Sequence, residues 1–213
     1  MFYLRLNKVK ILNNRELLGK GEIQLMSFIT LGESDFPMLD EFYQTNDDNR
    51  KAELVKQAVT KVISSRIMPQ IQKIKDNQSI YFGDSGYIVF KSEKTPTDFN
   101  WMLLAIESDK KKRDNAELIK TILTQKNISS IVGAIAPLAG LSSPVTAAIT
   151  TLSSMVADEV VKVYRNDKDD QAGLLLTSFI EKEHYLHGKR DAENTPDSTG
   201  NMFIDYTIFA YTE

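Results

Sequence analysis

The chain has 213 residues, 26 Lys and Arg against 29 Asp and Glu for a formal charge of -3, and no cysteine. That length buries a core without metal or disulfide staples, and the near balance of charge gives no global attraction to nucleic acid or an anionic membrane. The missing cysteines exclude disulfides, a thiol nucleophile and thiolate-bound zinc.

The opening MFYLRLNKVKIL alternates and is charged throughout, unlike the apolar core of a signal peptide or an amphipathic transit sequence. A cytoplasmic or peripheral membrane location is therefore expected. Phe2, Leu4 and Leu6 alternate with polar neighbours, and the apolar phase then shifts to Val9 and Ile11. This predicts a strand with a bulge near Lys8. After a turn at LGKGE, EIQLMSFITL predicts a second strand, apolar on both faces and so central. Leu54, Val55, Ala58, Val62 and Ile63 recur at helical spacing, predicting a helix over about 51–75 that Pro69 bends or ends.

SIYF, GDSG and YIVFK together predict a tight hairpin, and WMLLAIE predicts a strand buried on both faces that starts at the only tryptophan, Trp101. DNAELIKTILTQK predicts an amphipathic helix capped by Asp114. GLLLTSFIEKEH and MFIDYTIFAYT predict two final strands joined by a polar loop, GKRDAENTPDSTG. The sequence shows no fixed-period repeat and no low-complexity tract.

Between these elements, residues 127–157 contain no charge. The stretch is long enough to be weighed against a membrane span of about 20 apolar residues. Its middle, GLSSP, supplies a terminal glycine, an N-cap serine and a proline for a first helical turn. These predict a helical hairpin. The first arm, 128–139, reaches only about 18 Å, too short for a hydrocarbon layer of about 30 Å. The second arm carries the stripe Val145, Ile149, Leu152, Val156, Val160 and Val163. Such a hairpin is expected either to be buried in the protein or an oligomer interface, or to insert into lipid. Ile131, Ile135, Leu138 and Leu141 are its candidate contact residues, with the basic run Lys110, Lys111, Lys112 and Arg113 beside them. Each of those cations would add about 1 kcal/mol near an anionic surface, but Asp109 and Asp114 flank the run and no aromatic residue interleaves it. No nucleic-acid partner is expected.

His184 and His187 lie near Glu181, Glu183 and Asp191. On a strand end their spacing of three puts them on opposite faces, so no metal or catalytic centre is expected there. Phosphate-loop, nucleophile-elbow, zinc-helix and dinucleotide motifs are absent, so the chain is expected to be noncatalytic.

The order of FYLRLNKVKILNNRELLGKGEIQLMSFIT, WMLLAIESDK and NDKDDQAGLLLTSFIE resembles the C-two type of calcium- and lipid-binding β-sandwich. The resemblance covers about half of the chain, and the helical segment would be an insertion into a normally short loop. It implies calcium as the one cofactor, with Glu22, Glu107, Asp109, Asp169 and Asp170 at the matching positions. Two of these are Glu where the family has Asp. Calcium takes six to eight oxygen ligands from such loops, while solvated acidic turns offer the plain alternative.

The expectation is thus an α+β fold: a single domain over 1–213, an antiparallel β-sandwich with a helical insertion over 110–167 that includes the small-residue hairpin. The leading function is a noncatalytic binding module for a membrane surface or protein partner. A structural subunit forming homo-oligomers through the hairpin, and a pore-forming or effector-type protein, are the alternatives. No small-molecule substrate is identified.

Overall fold

The computed structural model describes residues 1–16, 19–31, 36, 38–64, 71–107, 115–166, 170–186 and 188–211, with the side chains of 64, 71, 72, 115–118, 164–166 and 170 outside that description. The fold is α+β, and the chain divides into two compact units.

The first unit, Met1–Ile29 with Arg66–Lys111 and Tyr164–Glu213, holds the strands. One sheet has the order β4-β1-β9-β8, with β5 also on β1; these are β1 (Phe2–Ile11), β4 (Gln78–Tyr81), β5 (Tyr87–Ser92), β8 (Gly188–Pro196) and β9 (Met202–Ala210). The other has the order β3-β2-β6-β7, from β2 (Gly21–Leu31), β3 (Ile71–Ile74), β6 (Asp98–Glu107) and β7 (Asp170–Ile180). Every ladder with a described register is antiparallel.

The alternation of β1 works as its pattern requires. Phe2, Leu4, Leu6, Val9 and Ile11 are all buried, and the β1–β9 register shifts between Leu6 and Lys8, where the apolar phase slips. β2 and β6 occupy the two inner places of their sheet, and Ile23, Leu25, Met26, Phe28 and the run from Trp101 to Ile106 are buried accordingly. Side chains of the two sheets meet. Phe2 packs edge-on to Phe99 at 5.3 Å, and Trp101 edge-on to Tyr206 at 5.3 Å while donating through Nε1 to Ser27 Oγ at 2.8 Å. Gly173 of β7 lies so near β9 that a Cβ would stand 2.6 Å from that of Met202.

Four expectations need correction. β4 and β5 form no hairpin: both run antiparallel to β1, one after the other along the same edge. The residues between them loop out of an interrupted strand, with Gly83 and Gly86 at φ 72° and 65°. Second, 188–196 is a strand. Its polar sequence suits an edge, where charged side chains discourage further pairing, and Pro196 falls at its last residue. Third, the predicted helix stops at Ser64 and Ile71–Ile74 is a strand; Pro69 lies outside the described residues. Fourth, EKEH is not a strand end but a single helical turn, Glu181–His184, after β7.

The second unit, Thr30–Ser65 with Lys112–Val163, is helical. It contains α1 (Leu39–Gln44), which the sequence reading missed, α2 (Asp48–Ser64), α3 (Asn115–Ile122), α4 (Gln125–Ile135), a 3-10 turn (Ala136–Gly140) and α5 (Pro144–Asn166). Asp114, the expected cap of α3, lies outside the described residues. α2 packs on α1, α3 and α4 with Leu54, Val55, Ala58, Val59, Val62 and Ile63 buried. Arg50 ties α2 to α1 through Glu41 at 2.6 Å. α5 buries its expected stripe at Ile149, Leu152, Val156, Val160 and Val163, leaving Val145 half-exposed.

Candidate interaction surfaces

The uncharged tract is built in three pieces. Thr124 caps α4, its hydroxyl accepting from the Asn127 backbone N–H at 3.4 Å. α4 gives way to the 3-10 turn, and Leu141 then leaves in an extended conformation. Gly140 does not take the left-handed conformation that a terminal glycine often supplies. α5 starts at Pro144, where the missing N–H costs no helical bond. Asn127 Nδ2 donates to Glu159 Oε2 at 2.9 Å, joining the first turn of α4 to the far half of α5. Glu159 is also held by Lys162 at 2.7 Å.

The candidate contact residues have different fates. Ile131 and Ile135 are buried, Leu138 is half-buried, and Leu141 is 51% exposed. Lys110, Lys111, Lys112 and Arg113 lie outside the described residues. The outward positions of the tract include Ser129, Ser130, Gly133, Pro137, Ser142, Thr146 and Thr150. No described helix is long and apolar enough to cross a membrane.

Of the residues implied as calcium ligands, Glu22, Glu107 and Asp170 come to one end of the second sheet. Glu22 pairs with Lys73 of the neighbouring strand at 2.7 Å. Glu107 is buried, close to Gly21, and stands opposite Asp170 in the β6–β7 register. Asp109 and Asp169 lie outside the described residues, as does the side chain of Asp170. Among the described residues, no three His, Asp or Glu side chains are grouped to hold a metal. His184 accepts the Ile180 N–H at Nδ1, 2.9 Å away, and sets its ring edge-on to Phe179, while His187 lies outside the description.

Two polar constellations escaped the sequence reading. At one end of the strand unit, Asp197, read above as part of an ordinary polar loop, and Asn201, just past that loop, are buried. On the first sheet, the buried Thr207 hydroxyl accepts from Arg5 and Asn7 and donates to Asp191 Oδ1 at 2.6 Å. Lys189 and then Thr207 hold the Asp191 carboxyl below the ordinary carboxylate range. Asp205 keeps the Lys8 ammonium above the usual lysine range, and burial pushes up the hydroxyls of Tyr43, Tyr185 and Tyr206. No protein-family model, curated protein or solved structure matches the chain.

Proposed function

We propose that the chain is a noncatalytic binding module, a β-sandwich carrying a helical hairpin, and that the hairpin's outward face docks a protein partner. The sandwich reading draws on the ring contacts across the two sheets. The hairpin reading draws on the break at 141–143 and the Asn127–Glu159 bond.

One observation carries the docking reading: the tract spends its large apolar side chains inward and turns small, hydroxylated, uncharged residues outward. Ordinary surfaces are about one quarter to one third charged, whereas the cores of protein interfaces are depleted of charge. Lipid is a poorer match. Insertion rewards large apolar area, and Leu141, half exposed, is the one large apolar residue among 127–157 that stands out to solvent.

A photo-cross-linking residue at Thr146, in the full chain in its native cells, is expected to give a discrete protein adduct. The same residue at Asn77, in the turn before β4, serves as control and gives none. Adducts at both positions, or at neither, contradict the reading. Sedimentation of the purified chain with anionic liposomes, with and without calcium, separates the membrane alternative, which requires pelleting.

A further inference from the structure

The outer face of the first sheet assembles a row from four distant parts of the chain. Lys91 of β5 lies opposite Tyr3 of β1, Tyr3 opposite Phe209 of β9, and Phe209 opposite Lys189 of β8. Their strand neighbours Phe2, Leu4, Ile208 and Ala210 are buried, which turns this row to the other side of the sheet. The Tyr3 and Phe209 rings stack at 5.0 Å with planes 13° apart.

Arg5 sits in the next row, donating to Ser85 O and Thr207 Oγ1 at 3.2 Å each. Its stem packs against the loop at Gly86, where a Cβ would come within 2.6 Å. Two carboxylates of this face are engaged, Asp205 by Lys8 at 2.6 Å and Asp191 by Lys189 at 2.7 Å, and Glu193 lies near Lys8. Arg5, Lys10 and Lys91 carry no ion pair among the described residues, although the whole chain is net negative. A stacked ring pair beside cations that make no ion pair among the described residues matches a partner that alternates planar rings with anions.

We propose that this face binds single-stranded nucleic acid, the bases stacking on Tyr3 and Phe209 and the phosphates meeting Lys91, Arg5 and Lys10. Ring contacts of this kind need unpaired bases, because a duplex hides its base faces in the stack. The residues involved lie as far as 206 positions apart in sequence, so no linear window displays them together.

The test is fluorescence anisotropy of the full chain with a labelled oligothymidylate of about 12 nucleotides. Saturable binding is expected, falling roughly 20-fold between about 50 and 200 mM salt if three phosphates are neutralised. Lys10→Glu with Lys91→Glu, which leaves the core alone, is expected to weaken binding at least about tenfold. Tyr3→Ala with Phe209→Ala should do the same by removing the stacking platform. Absence of binding at low salt overturns the proposal, as does undiminished affinity in the charge-reversed variant. Equal competition by polyglutamate also overturns it, since that would mark a surface for acidic peptides.

Discussion

Asp197 is 7% exposed and carries no ion pair among the described residues, yet its carboxylate accepts four hydrogen bonds. The Leu174 N–H and the Thr199 hydroxyl reach Oδ2 at 2.6 Å each, and the Asn201 and Met202 N–H groups reach Oδ1 at 3.1 Å. Leu174 belongs to one sheet and Met202 to the other, so one side chain fastens both. Asn201 repeats the device through the carbonyls of Asn13 and Ala172. Removing the acceptor strands buried donors at a cost of about 1–3 kcal/mol each when unreplaced. Asp197→Ala is therefore expected to lower unfolding stability by about 3 kcal/mol in urea denaturation. A loss below about 0.5 kcal/mol would show that the carboxylate ties nothing together.

Acid acts at the same scale. Arg50 lowers the Glu41 carboxyl, and Lys189 and then Thr207 lower that of Asp191. A carboxyl with a folded-state pKa below its unfolded value stabilises the fold above the unfolded value, and loses that contribution as pH falls through the folded one. Stability should thus fall below about pH 4, and less steeply in Asp191→Asn. Since Asp191 and Lys189 are each about half exposed to solvent, the difference should stay under about 1 kcal/mol. Lys8 has the opposite sign: its raised pKa leaves its contribution intact at neutral pH, to be lost only above the ordinary lysine range.

Among the elements, caps and turns offer the sharpest tests. Thr124→Ala removes the N-cap of α4 and should cost about 1 kcal/mol, read from the thermal midpoint. Gly86→Ala should cost more than about 1 kcal/mol, because φ of 65° disfavours any side chain and a Cβ would collide with the Arg5 stem. Elements with strong periodicity were legible in the sequence: β1 and its bulge, the inner strands β2 and β6, and the stripe of α5. The rest failed for physical reasons. β8 has no apolar alternation because it is an edge, and GDSG carries the same turn chemistry whether it reverses a strand or interrupts one. α1 is six residues long, below the length at which periodicity speaks.

At the scale of the whole molecule, sequence order is a poor guide to assembly. The helical unit joins 30–65 to 112–163, although the intervening strands belong to the other unit. Likewise the Tyr3–Phe209 surface and the Asp197–Asn201 fastening exist only once the strand register brings the ends of the chain together. The uncharged tract, by contrast, announces itself in sequence, and only its burial tells which side faces outward.

Its course is the premise of the docking surface, and an absence of native cysteine makes it measurable. Spin labels on Ser130→Cys and Ser154→Cys report the separation of the two arms by pulsed electron resonance. Helices folded back on each other, with axes about 8–10 Å apart, predict a label distance of roughly 20 Å or less. A distance near 36 Å, the rise of one unbroken helix between those positions at about 1.5 Å per residue, would contradict the hairpin and the surface built on it.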